Sequence, residues 1–144
     1  MRLTQIAVAF DLLSAPAFAQ SDEAVMERIE SLHGASAAFG EAFGTLQDAF
    51  LFDNPAALAD LVFYPLDVEA NGKLYEITEP QELIDNFDTL LTPDTISALS
   101  SQDFSDLIVT SDGVGFGNGA LWMTLVCLDN SCADTQWGII RINN

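Results

Sequence analysis

The chain has 144 residues, 49% of them hydrophobic, and its 22 acidic residues against 4 basic ones give a formal net charge of -18. This length and composition fit one domain with its own hydrophobic core. Such a negative field repels phosphate backbones and anionic lipid, so we expect no nucleic-acid partner. The acidic surface fits a cationic partner or divalent ions better, or it serves only to keep the protein soluble.

The first residues have the pattern of a secretory signal peptide. Arg2 gives a short positive start, residues 6–13 are largely apolar, and Ala17-Phe18-Ala19 offers the small residues that signal peptidase accepts. Asp11 interrupts the apolar run and weakens the pattern. The run is far shorter than the ~20 residues that span a membrane. We therefore expect residues 1–19 to be removed after Ala19 and the mature protein to be periplasmic or secreted, with no membrane span.

Helical periodicity predicts three helices before residue 62. Ser21 is a suitable N-cap for the first helix, and Asn54 followed by Pro55 starts the third. Gly34 either breaks or kinks the chain between the first two. Their apolar stripes are Val25, Met26, Ile29 and Leu32 in the first helix, and Phe39, Phe43, Leu46 and Phe50 in the second.

Residues 62–77 predict a β-hairpin, because Asn71-Gly72 suits a two-residue turn in which both residues have positive φ. This turn pairs Val68 with Tyr75 and Leu66 with Ile77, so apolar residues share one face. The pairing agrees with the alternation of apolar residues along the first strand.

The same register places Asp67 opposite Glu76, with Glu69 on the same face. Like charges directly opposite each other are unfavourable, and carboxylates suit hard cations. We interpret this weak acidic cluster as a solvated face of the sheet, with a weak Ca²⁺ site or a surface for a cationic partner as alternatives. No D-x-D-x-D-G loop is present in the sequence, so we predict no metal.

The rest of the chain adds two helices and three strands. Thr78 and Gln81 form a capping-box pattern around Pro80, and one helix continues to Leu91. Thr92-Pro93 opens another short helix. Helices, hairpin, helices and then an antiparallel meander predict an α+β fold, with the meander strands near 104–110, 114–128 and 132–142.

Glycine occupies every second position from Gly113 to Gly119, next to and within the second of these strands. In a strand these four glycines share one face. They permit either strong bending of the sheet, which we favour, or the close approach of a ligand. No helix follows, so the run is not a phosphate-binding loop.

The two cysteines, Cys127 and Cys132, flank a four-residue loop between the last two predicted strands. Across a hairpin they lie within the Cα spacing of a disulfide, and an oxidising compartment preserves the bond. A redox or metal role is disfavoured because there is no C-x-x-C pair and only one histidine, His33, which a helix end accommodates. We expect a structural disulfide and no cofactor.

The order of elements over residues 20–144 resembles the nuclear transport factor 2-like superfamily, which includes the SnoaL-like polyketide cyclases. The resemblance is carried by the helix pair before Asn54-Pro55, by Phe63-Tyr64-Pro65-Leu66, by the helix bearing Phe87, and by Gly117-Asn118-Gly119-Ala120-Leu121-Trp122. It implies one α+β domain in which N-terminal helices pack on a strongly curved, mainly antiparallel sheet around a conical pocket. Such folds often pair through the open face of the sheet, which makes a homodimer an expectation.

The superfamily contains isomerases, cyclases, dehydratases and binding modules, so its fold does not give a function. Asp85 and Asp88 are candidates for a general acid or base, but they lie off the apolar helix stripe and we assign no catalytic residue. The aromatic residues that could line a pocket are Tyr64, Tyr75, Phe87, Phe116, Trp122 and Trp137.

Three functional hypotheses follow. The first is an exported, non-enzymatic domain that binds a small ligand or a partner protein. The second is a SnoaL-like isomerase, cyclase or dehydratase with a pocket aspartate as acid and base. The third is an acidic module that binds a basic partner protein, whose affinity would fall as salt rises.

Overall fold

The structure, a computed structural model, describes residues 20–144, and the predicted signal peptide lies outside the described residues. Helices come first, and a six-stranded mixed sheet is completed by the C-terminal half. The helices are α1 (Asp22–Leu32), α2 (Ser36–Leu51), α3 (Pro55–Asp60), α4 (Pro80–Asp85), α5 (Phe87–Leu90) and α6 (Pro93–Ser100). The strands are β1 (Val62–Ala70), β2 (Lys73–Ile77), β3 (Ile108–Thr110), β4 (Gly113–Phe116), β5 (Leu121–Cys127) and β6 (Thr135–Asn143).

Local caps start three of the helices at the predicted positions. The side chains of Ser21, Asn54 and Thr92 each accept a hydrogen bond from the backbone N–H three residues further on, at 3.1, 3.1 and 3.2 Å. Gly34 and Ala35 have φ of 78° and 52°, outside the helical region, so the chain breaks here rather than kinks.

The predicted helix from Pro80 to Leu91 is two short helices, because Asn86 leaves the helical conformation with φ -113° and ψ 15°. The predicted cap was also misplaced by one residue. Thr78 is hydrogen-bonded by Glu82, whose carboxylate accepts from both its backbone N–H and its hydroxyl at 3.1 Å, while Gln81 donates to Asp85 instead.

The strand order is β2-β1-β6-β5-β4-β3, with β1 parallel to β6 and every other neighbouring pair antiparallel. The α+β class and the mainly antiparallel sheet are therefore confirmed. The hairpin register is also confirmed: Val68 lies opposite Tyr75, and Asp67 lies opposite Glu76. The parallel pairing joins the first and last strands of the chain and makes one continuous sheet.

The predicted strand 114–128 is wrong as a single element. It is two strands, β4 and β5, separated by a turn in which Gly117, Asn118 and Gly119 have φ of 57°, 58° and 94°. These left-handed conformations suit glycine and asparagine. The glycines therefore do not form one stripe, and only Gly115 sits within a strand with ordinary backbone geometry.

The inner face of the sheet, defined by its buried residues, packs against the helices. Among its fully buried side chains are Leu66, Val68, Val114, Phe116, Leu121, Met123, Ile139 and Ile142. An aromatic cluster fills the space between α2 and this face: Phe39 lies 5.0 Å from Trp137 and 6.0 Å from Phe116, centroid to centroid, and Phe43 lies 5.0 Å from Phe104. Among residues 20–144 no helix combines the length and apolarity needed to cross a bilayer.

The edge strand β3 is covered by side chains from the N-terminal segment. Gln20, Arg28 and His33 make hydrogen bonds of 2.7–3.2 Å to backbone carbonyl oxygens within residues 105–110. Since a carbonyl only accepts, His33 donates from Nε2. These bonds satisfy edge groups that would otherwise be open to another strand.

Candidate functional site

One row of residues crosses all six strands on the outer face of the sheet, the face turned away from the helices. Directly opposite residues on neighbouring strands point to the same side, so their pairing defines the row. Arg141 on β6 is the centre, with Asp67 opposite it on β1 and Trp122 opposite it on β5. In strand order the row is Glu76, Asp67, Arg141, Trp122, Gly115 and Ile108.

The indole of Trp122 is held in place by two glycines. A Cβ added to Gly115 would lie 3.0, 3.1 and 3.2 Å from three carbons of the six-membered ring. Such similar distances place that position over the face of the ring, so only a glycine lets the indole lie this close to the strand. Its Nε1 donates a 3.1 Å hydrogen bond to the carbonyl of Gly119, in the turn before β5.

Trp122 lies in a cleft of about 410 Å³, together with Asp67, Thr110, Asp112, Ile140 and Arg141. A β-bulge in β6 shapes this cleft. Trp122 pairs with Arg141 and Met123 with Ile139, so Ile140 is the extra residue of the bulge. The bulge lets Ile140 and Arg141, consecutive residues, both line the same cleft.

The remaining aromatic candidates do not share this cleft. Phe87, Phe116 and Trp137 are 5%, 0% and 3% exposed and belong to the core, where Trp137 also donates from Nε1 to the carbonyl of Ala35 at 3.0 Å. Tyr75, also part of the pairing with Val68, packs against the core from the inner face.

Tyr64 lines a second cleft on the sheet, of about 320 Å³, with Asp60, Phe63 and Leu128 among its neighbours. Its hydroxyl donates to the carbonyl of Ala59 at 3.0 Å. Burial, and secondarily the charge of Asp60, raises the pKa of the phenol, so it stays protonated and acts as a fixed hydrogen-bond donor.

The three residues of the acidic cluster differ in their surroundings. Asp67 is half-buried beside Arg141, whereas Glu69 and Glu76 are exposed. Within the described part of the chain, no group of three or more histidine, cysteine, aspartate or glutamate side chains is arranged to hold a metal ion.

Asp85 and Asp88 are exposed at the rim of a further cleft that includes Asp53 and Phe87. Both side chains face solvent, and neither lines the cleft of Trp122 or that of Tyr64. Hydrogen bonds lower the pKa of two other carboxyl groups. The pKa of Glu30 is lowered chiefly by the backbone N–H of Ser36, and that of Asp129 chiefly by the hydroxyl of Ser131.

The predicted disulfide between Cys127 and Cys132 is confirmed, with Cα atoms 4.7 Å apart. The two residues do not face each other across the strands, since Cys127 is paired with Thr135 and Cys132 lies within the loop. Asp129 orders the same loop, because its carboxylate accepts hydrogen bonds from the hydroxyl and N–H of Ser131 and from two further backbone N–H groups.

Sequence reasoning found Trp122 and Asp67 separately but missed Arg141. The signal available was its rarity: the chain has four basic residues, and only three remain when Arg2 is set aside. An arginine beside two isoleucines in a strand breaks the alternation and hints at a bulge. Its pairing with both Asp67 and Trp122 depends on strand order, which local pattern does not give.

Comparisons with known proteins give no relative for this chain. No family model, no curated protein and no solved structure matches it. Function is therefore inferred from the geometry of these residues alone.

Proposed function

We propose that the protein is an exported binding domain with a nuclear transport factor 2-like fold, and that a small ligand binds in the cleft around Trp122. The mixed sheet with helices packed on one face supports the fold assignment. The leader pattern at the N-terminus and the disulfide, a bond that persists in oxidising compartments, support export to the periplasm or beyond the cell.

The observation that carries the proposal is the placement of the Trp122 indole, which packs on Gly115 and is hydrogen-bonded to Gly119. A half-buried tryptophan combines a large apolar surface with one polar group, which suits it to contact a ligand. Here one face of the ring packs on Gly115 and its N–H donates to Gly119, so the ring is pre-organised, and Trp122 is one of the residues that line the cleft. Pre-organisation reduces the entropy lost on binding.

The location of the site on the outer face also follows from how the interior is packed. The space between α2 and the inner face, where the family resemblance places a pocket, holds the side chains of Phe39, Phe43, Phe104, Phe116 and Trp137 in mutual contact. A ligand there would have to displace core aromatics. The Trp122 cleft needs no such displacement.

The test is a native, non-reducing mass spectrum of the protein produced with its own leader. We expect a chain that begins at Gln20, has an oxidised cysteine pair and carries an extra mass. The Trp122→Ala variant should lose that mass, whereas Tyr64→Phe, in the other cleft, should keep it. An uncleaved chain with free thiols would overturn export, and an extra mass retained by Trp122→Ala would overturn the site. The same spectrum reports any homodimer.

One observation favours a second candidate, an isomerase, cyclase or dehydratase. Asp67 and Asp112 share the cleft with Trp122, and Asp67 is half-buried, which is the placement an acid or base needs. Once a ligand is known, Asp67→Asn separates the two functions. A binding domain would release the same compound that it bound, while an enzyme would convert it and lose turnover in this variant.

A further inference from the structure

We propose that the Trp122 cleft takes a neutral, hydroxyl-rich ring, such as one pyranose unit of a saccharide. This inference rests on the proposed function, since it names the chemical class of the ligand in the same cleft. It follows from the shape of the Trp122 surface, from the balance of donors and acceptors around it, and from the charge of the protein.

The shape comes first. With Gly115 under one ring face, the opposite face of Trp122 is the flat apolar surface left for a ligand. Its only polar atom, Nε1, already donates to Gly119 and makes no demand on a ligand. A ligand therefore needs a flat face without exposed polar groups, which the C–H face of a pyranose ring provides as well as an aromatic ring does.

The polar groups around this surface include both hydrogen-bond acceptors and hydrogen-bond donors. Asp67 and Asp112 only accept hydrogen bonds, and Arg141 only donates them. Each hydroxyl of a sugar both donates and accepts, so several hydroxyls around one ring edge satisfy all three side chains. A plain aromatic hydrocarbon would use none of these three side chains.

Charge disfavours a charged ligand. The formal net charge of -18 opposes an anion, although Arg141 is present. A cation would approach Asp67 and Asp112 but would also meet Arg141, which lies directly opposite Asp67 across β1 and β6. A neutral ligand avoids both conflicts. The volume of about 410 Å³ lies near the lower end of ligand pockets and suits one or two rings.

The test follows the indole N–H signals of the two tryptophans by NMR during titration of the mature, disulfide-bonded chain. The neutral probes are maltotetraose, cellotetraose and chitotetraose, and the charged ring probes are benzamidine and benzoate. We expect at least one saccharide to shift the Trp122 signal saturably and to leave the Trp137 signal in place. Affinity should not change between about 0.1 and 1 M salt, over which charge interactions are strongly screened.

Variants make the assignment. Trp122→Ala should weaken saccharide binding about tenfold or more, and Trp122→Phe, which keeps a flat ring, should weaken it less. Arg141→Gln and Asp67→Asn should each weaken binding, and Tyr64→Phe is the matched control that should not.

Two outcomes would overturn the inference while the proposed binding function stands. One is binding of benzamidine or benzoate at Trp122 in place of every saccharide. The other is saccharide binding that survives Trp122→Ala, together with a shift of the Trp122 signal of the wild type by one of the charged probes. If no probe shifts the Trp122 signal and the exported protein carries no extra mass, the proposed function and the inference are both wrong.

Discussion

Replacing Gly115 by alanine tests directly whether the strand holds the indole of Trp122 in place. The added Cβ would sit 3.0–3.2 Å from three ring carbons, closer than the roughly 3.5–4.0 Å of ordinary carbon contacts. The ring must withdraw by several tenths of an ångström. The same movement disturbs the alignment of the 3.1 Å hydrogen bond that Nε1 donates to Gly119.

The expected change in the free energy of unfolding combines three effects. Overpacking costs about 1–3 kcal/mol and the weakened hydrogen bond about 1 kcal/mol, while alanine returns about 0.4–1 kcal/mol by restricting the unfolded chain. Because Trp122 is only half-buried and can tilt outward, we take the low end of the overpacking range. The net expectation is a loss of about 1–2 kcal/mol.

Gly40→Ala is the matched control. Gly40 lies inside α2, and a Cβ added there meets no atom within 4 Å. This variant should be about 0.5–1 kcal/mol more stable than the wild type. Urea unfolding measures both variants, and tryptophan fluorescence of the native state should change in Gly115→Ala alone. A Gly115→Ala protein as stable as Gly40→Ala, with unchanged fluorescence, would show that the indole is not held against the strand.

Three other predictions concern parts of the fold away from the cleft. Replacing Cys127 and Cys132 together by serine should lower the free energy of unfolding, measured in urea, by about 2 kcal/mol, because the closed loop is short. A loss above about 4 kcal/mol would contradict a purely local role of the disulfide. The Ser131 hydroxyl is the chief cause of the lowered pKa of Asp129, so the ionised carboxylate stabilises the folded protein above the ordinary carboxyl pKa, and this contribution is lost as pH falls through the lowered pKa. In acid titrations of the free energy of unfolding, Asp129→Asn should lose this part of the pH dependence. The same pH dependence in the variant and the wild type would contradict the prediction. The side chain of Asn144 donates hydrogen bonds to the carbonyls of Glu69 and Leu90 and accepts one from the N–H of Thr92. Asn144→Ala should therefore lower the free energy of unfolding by about 1–2 kcal/mol in urea, whereas Asn130→Ala in the exposed loop should change it little.

The parts of the fold that sequence predicted well are those decided within a few residues. Ser21, Asn54 and Thr92 cap their helices through bonds to the N–H three residues away. Asn71-Gly72 sets the hairpin register because the turn itself fixes which residues face each other. In each case the competing conformations differ only locally.

The errors and omissions have a different origin. The alternating glycines predict that Gly117-Asn118-Gly119 belongs to a strand, yet three consecutive residues with positive φ make it a turn. The candidate site depends on the parallel pairing of β1 with β6, which brings Asp67 next to Arg141 across about half of the chain length. Such long-range pairing leaves no local signature, so Arg141 was missed and the aromatic candidates could not be sorted into core and cleft.

The bonds that Gln20, Arg28 and His33 make to residues 105–110 mean that side chains, and not another strand, close this edge of the sheet. Side chains detach more readily than a paired backbone, so we expect the first local opening of the native protein to be the release of α1. That opening would leave a row of free carbonyls to which a strand of another molecule can add. We therefore expect the aggregation rate of the protein at high concentration to depend on the equilibrium between docked and released α1, and not on the free energy of global unfolding.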